Sequence, residues 1–228
     1  MWARRLAWAT IVAQLACLAG WLFAGAIERH GYSAASDDIS DLGALTAHHP
    51  AIVLVTCGVS GALTIAFSLV ALRPALGIGA WLVALSLAGL DDLSDAFFRL
   101  DCRAADRGCS ISTATASWHG KVHLAAAGIA AIATVLAPFV LARCMRRTAD
   151  WRELARPTEL FGVVIAVCAL TSVALTDTPV QGIAQRTLAV VVPLGVVALA
   201  VRVIQLNAFE TPRGRPTSNA LRVNDTST

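Results

Sequence analysis

Apolar residues fall along this chain in six blocks, each bounded by polar or charged stretches. The longest, 6–27, 51–72 and 122–142, contain no Asp, Glu, Lys or Arg. Long uncharged runs suit helices, which satisfy their backbone hydrogen bonds internally, rather than the short alternating strands of a barrel. A bilayer core of about 30 Å takes about 20 helical residues. The pattern therefore predicts an all-α, polytopic membrane protein with six transmembrane helices in one bundle, over about 6–27, 51–72, 75–98, 119–142, 160–177 and 187–206. Blocks three, five and six reach that length only with their polar ends included. Residues 207–228 read as a polar, disordered cytoplasmic tail.

Composition agrees. Of 228 residues, 57% are hydrophobic and 14% charged, against about 45–50% and about 25% in soluble domains. A water-soluble enzyme, a disordered chain and a secreted disulfide scaffold are excluded. Arg4 and Arg5 ahead of the first block resemble a signal-peptide start, but the block is too long for one and reads as an anchoring helix.

Charge sets the orientation. With an even number of spans, both termini share one side, which carries 12 Arg and Lys against 6 on the other. The positive-inside rule predicts both termini in the cytoplasm. The outer face then sums to −4 and the inner face to +7. A basic inner face suits anionic lipid headgroups, so membrane lipids are the expected partners. No alternation of basic and aromatic residues points to nucleic acid.

Two outer loops, Arg29 to Pro50 and Arg99 to Trp118, are long enough to invite a functional reading. Cys102 and Cys109 share the second and can close a disulfide ring on the oxidising side, or remain free thiols. Cys17, Cys57 and Cys168 lie inside spans, where cysteine packs as a small apolar residue. Trp151, in the basic link after span four, is expected at the membrane interface.

Ionisable residues at membrane depth are functional candidates. In Leu90-Asp91-Asp92-Leu93-Ser94-Asp95, Asp91 and Asp95 share a helix face at i, i+4. His119 and His123, at the mouth of span four, have the spacing that lets two imidazoles grip one metal ion. Proton handling and a purely structural role stay open for them. Ser40 and Asp41 occupy the first outer loop as catalytic or capping residues. The expected constellation is His119, His123 and Asp101 as metal ligands, zinc being the metal considered, with Asp95, Asp41 and Ser40 as catalytic groups.

Four stretches carry a resemblance to a bacterial family of six-helix membrane proteins catalogued as domain of unknown function 998. They are Tyr32-Ser33 with Ile39-Ser40-Asp41-Leu42-Gly43, Phe98-Arg99-Leu100-Asp101-Cys102, His119-Gly120-Lys121-Val122-His123, and Gly182-Ile183-Ala184-Gln185-Arg186. The resemblance covers roughly Leu6 to Leu206. It departs at Arg99, where the family pattern carries proline, and Asp91, Asp92 and Asp95 are not part of that pattern. It implies the six-helix fold and a bacterial cytoplasmic membrane, adds Gln185 and Arg186 to Asp91 as pocket candidates, and supplies no reaction. A looser likeness, in residue types alone, is to zinc-dependent alkaline ceramidase-type membrane hydrolases.

Three functions compete at this point. The first is a metal-dependent, hydrolase-like enzyme acting on a lipid or hydrophobic metabolite at the outer leaflet. The second is a structural or accessory membrane protein with an outer docking surface. The third is a proton-coupled transporter, disfavoured because the span centres are apolar.

Overall fold

The computed structural model describes residues 2–29 and 31–209. The tail expected to be disordered lies outside them from residue 210 onward. Within them the chain is helical: α1 Trp2–Ile27, α2 Pro50–Leu76, α3 Ile78–Ala84, α4 Asp92–Asp95, α5 Ile111–Ala114, α6 Trp118–Met145, α7 Ala155–Ala174 and α8 Gln181–Phe209. Among the described residues, five helices are long and apolar enough to cross a membrane.

The difference from six lies in the third block, expected as one helix over 75–98. Helix α2 runs on to Leu76, absorbing Pro74 by widening to π geometry over Ser68–Leu72. The turn comes at Gly77 rather than at Arg73-Pro74. Helix α3 then stops at Ala84, Ser86 is extended, and a π turn over Leu87–Asp91 leads into α4. The interruption is buried in protein, and its freed groups find partners. The Leu87 amide donates to Thr134 Oγ1 at 2.9 Å, and Ser86 Oγ donates to the Val83 carbonyl at 2.7 Å. Such backbone is tolerated at membrane depth only where protein shields it.

Helix α1 packs on α2 and α8, while α6 packs on α3 and α7, and α7 also on α8. A Cβ at Gly61 of α2 would sit 2.6 Å from the Gly89 carbonyl, so only glycine lets the broken segment lie against α2. The larger core joins Phe67, Leu72, Leu76, Leu141, Met145 and Val196 at the end bearing the termini. Trp151 is buried in it, because the link over Ala149–Leu154 folds as a short 3₁₀ helix against the bundle. A smaller cluster of Trp21, Leu42, Val53 and the Cys17–Cys57 pair lies at the opposite end. That pair is a disulfide tying α1 to α2, which corrects the expectation of two packing thiols. Cys102 and Cys109 are also bonded, while Cys144 and Cys168 are free.

Candidate functional site

The loops at 28–49 and 96–117 fold together as a cap over the bundle end. Arg103, 3% exposed, is its hub. Its guanidinium donates to Glu28 Oε1 and Asp106 Oδ1, each at 2.6 Å, and to the Arg29 carbonyl at 3.2 Å. Glu28 also receives the His48 ring at 2.6 Å, and Thr46 Oγ1 donates to Asp106. Arg99 donates to the carbonyls of Gly43 and Ala44, each at 2.7 Å. Burial alone would raise the Asp106 carboxyl, but the Arg103 and Thr46 hydrogen bonds outweigh it and hold the group at about 2.

A second lock ties the first loop to α8. The Ile39 amide donates to Gln185 Oε1 at 2.6 Å, and Gln181 donates to Asp38 at 3.0 Å. Arg186 donates to the carbonyls of Asp37 and Gly182 and to the Tyr32 hydroxyl. Its guanidinium lies over the Tyr32 and Trp21 rings, 5.8 and 5.9 Å from their centroids. Burial pushes the Tyr32 hydroxyl up to about 12, although Arg186 pulls the other way. Gly182 has no room for a side chain: a Cβ would sit 2.6 Å from the Asp37 carbonyl and 2.7 Å from that of Ala34. The stretches around Tyr32–Gly43 and Gly182–Arg186 are thus each other's partners. Arg186 belongs to this lock and is not part of the wall of the chamber beneath the cap.

Beneath the cap, among α1, α2, α4, α6, α7 and α8, lies a chamber of about 320 Å³. Asp91, Asp92 and Asp95 line it together with His123, Ser40, Gln185, Gln14 and Ser172, in an otherwise apolar wall. His123 Nδ1 lies 2.9 Å from Asp95 Oδ1 and 3.2 Å from the Phe98 carbonyl oxygen. Both neighbours are acceptors, so Nδ1 carries the proton and Nε2 keeps its lone pair in the neutral ring. Gln14, 2% exposed, donates through Nε2 to Thr64 Oγ1 at 2.8 Å. Gln14 Oε1, Asp91 Oδ1, Asp95 Oδ1 and Ser172 Oγ are buried without a hydrogen-bond partner, Asp95 Oδ1 meeting His123 Nδ1 as an ion-pair contact. The Cys17–Cys57 disulfide is also in the wall, with Cys17 Sγ 3.9 Å from Asp92 Oδ2.

The zinc expectation rests on His119, His123 and Asp101 sharing one ion. The structure directs the three side chains to different partners. His119 is exposed and stacks on Trp118 with ring centroids 3.8 Å apart. His123, one turn deeper, is buried and turned to Asp95. Asp101 accepts the Ser117 amide at 2.8 Å and so fixes the start of α6, which holds its carboxyl below the usual range. Among the described residues, one set of three donor atoms lies within 4.8 Å, that of Cys17, Cys57 and Asp92, and both its sulfurs are engaged in a disulfide.

Asp41 is likewise redirected. It is buried, accepts the Ala104 amide at 3.2 Å, and joins the two cap loops instead of lining the chamber. Its second oxygen has no partner, and burial pushes its carboxyl up to about 6. Sequence reasoning singled out Asp91, Asp95, His123 and Ser40, which meet in the chamber. It passed over Gln14, whose one signal was a polar residue at mid-span, and over Asp92 as a wall residue in its own right.

The family described as "Protein of unknown function (DUF998)" matches this chain over residues 11–202, which includes the cap, both locks and the whole chamber. No curated protein and no solved structure matches it. The chain, with its several helices long and apolar enough to cross a membrane, belongs to the DUF998 family.

Proposed function

We propose that this protein binds a membrane-derived amphiphile in the chamber beneath the cap and acts on it by acid–base chemistry. The observation that carries this is the convergence of Asp91, Asp92, Asp95 and His123 on one chamber whose remaining wall is largely apolar. Small-molecule sites have this make-up, a few convergent polar groups in an apolar cavity. Asp95 and the Phe98 carbonyl fix the His123 ring, and Nε2 is then the base, or once protonated the acid, offered to the ligand. In this reading the broken α3–α4 segment is a sixth span, the cap faces outward and both termini are cytoplasmic, as the Arg and Lys distribution implies. The ligand enters from the outer leaflet.

The test is native mass spectrometry of the protein extracted into lipid-polymer discs from its own membrane. A defined adduct on the wild type, missing from His123→Ala and from Asp95→Asn, is expected. Identical adduct patterns in all three proteins would overturn the proposal.

A further inference from the structure

The chamber does not end at its carboxylates. A second cavity of about 260 Å³ lies directly below it, between α6, α7 and α8. The two meet at Val192, which lines both. On each wall the residues follow on by about one helical turn. On α6, Ala127 and Ala131 line the chamber, while Thr134, Ala137 and Leu141 line the lower slot. On α7, Ala169 gives way to Ile165 and Phe161, and on α8, Leu188 and Ala189 give way to Val196 and Leu199. From Gln185 at the top to Leu199 at the bottom is about 21 Å of helix axis. The slot is apolar, so it accepts a hydrocarbon chain and little else.

The chamber has a matching bias in its polar atoms. Three carboxylates line it, and no lysine or arginine does so among the described residues. Of its buried atoms without a hydrogen-bond partner, Gln14 Oε1 can only accept, and Asp91 Oδ1 and Asp95 Oδ1 accept while ionised. A ligand that brings hydrogen-bond donors and positive charge complements these atoms. An anionic head would meet three carboxyl groups and no cation, whereas an ammonium among them stabilises their ionised form and satisfies their oxygens.

We infer that the site takes a single-chain amphiphile with an ammonium head, the head among Asp91, Asp92 and Gln14 and the chain in the slot between α6, α7 and α8. This rests on the chamber being the binding site proposed above and adds the class of its ligand. The ammonium supplies the missing donors, and the chain lies along the apolar wall of the slot.

The probe is dodecylamine carrying a diazirine near its chain end and an alkyne for recovery, added to the full chain in nanodiscs and cross-linked by light. Labelled peptides are expected from the slot segments of α7 and α8. Excess dodecylammonium should suppress labelling about tenfold or more, and the Asp91→Asn/Asp92→Asn double variant should lower it similarly. Ala198→Phe, at an exposed position on the slot's rim, fills the slot without touching the chamber and should also lower labelling. Competition by dodecanol or dodecanoate as strong as that by dodecylammonium overturns the ammonium assignment. The binding chamber itself then stands if His123→Ala still abolishes labelling. Labelling indifferent to every one of these substitutions removes both.

Discussion

Asp41 shows how burial can turn a suggestive residue into a structural one with a measurable signature. Its carboxyl is raised to about 6 in the folded cap, from about 4 in an unfolded chain. A raised acid stabilises the fold while protonated, and that contribution is lost as pH climbs through the folded value. The cap should therefore lose stability between about pH 4 and pH 6, by up to about 3 kcal/mol. Asp41→Asn keeps an oxygen for the Ala104 amide and removes the charge. It should raise the melting temperature at pH 8 and leave it nearly unchanged at about pH 3.5, below the unfolded value, read by scanning fluorimetry in nanodiscs. A variant that melts lower at both values would refute this account of Asp41. The sequence showed Asp41 as unusual but not its partner, because the Ala104 amide is supplied by a loop 63 residues away. The same holds for His119 and His123. Their i, i+4 spacing on a helix was legible, whereas the ring stacking that draws His119 outward depends on Trp118 and on Phe98 from another segment.

Among the elements, the cap loops and the broken third block were the least legible. Apolar periodicity reports that a segment is buried but not that it is continuous. Leu85 and Ser86 interrupt a run whose hydrophobicity never falters, and the group that makes the break affordable is the Thr134 hydroxyl on α6. That break sets where Asp91, Asp92 and Asp95 enter the chamber. The five long helices were legible because each carries a long apolar run with few or no charges. The cap's integrity depends on the Arg103–Glu28 pair, whose side chains are 4% and 1% exposed. Arg103→Ala would leave the buried Glu28 without its guanidinium, facing only neutral amides and the partly exposed His48 ring among the described contacts, and should cost about 3–5 kcal/mol. The same melting assay reads this as a large fall in midpoint, with faster deuterium exchange across residues 99–110. A midpoint within error of the wild type would mean that the cap is held by something other than this hub.

For the whole molecule, the account places cap and chamber on the outer side of a six-span bundle. A fluorescent protein fused after the last residue should fold and fluoresce in the cytoplasm. Alkaline phosphatase inserted after Gly108, at the tip of the cap, should be active, since that enzyme matures only in an oxidising compartment. Fluorescence lost at the C-terminus, together with an inactive phosphatase in the cap, would invert the topology. Along the bundle the polar groups are graded: an ion-paired cap, a chamber with three carboxyl groups below it, then an apolar slot and a large apolar core. That gradient matches an amphiphile lying along the bundle axis, head toward the cap.

The most direct test of the chamber as a binding site watches His123 itself. The protein is labelled with ¹⁵N-histidine, its resonances are assigned by single His→Gln substitutions, and dodecylammonium is titrated in nanodiscs. The account predicts a saturable shift of the His123 ring nitrogens, with those of His48, His49 and His119 unmoved, and its disappearance in Asp92→Asn. His123 signals that stay still throughout, or move no more than those of the cap histidines, would contradict it.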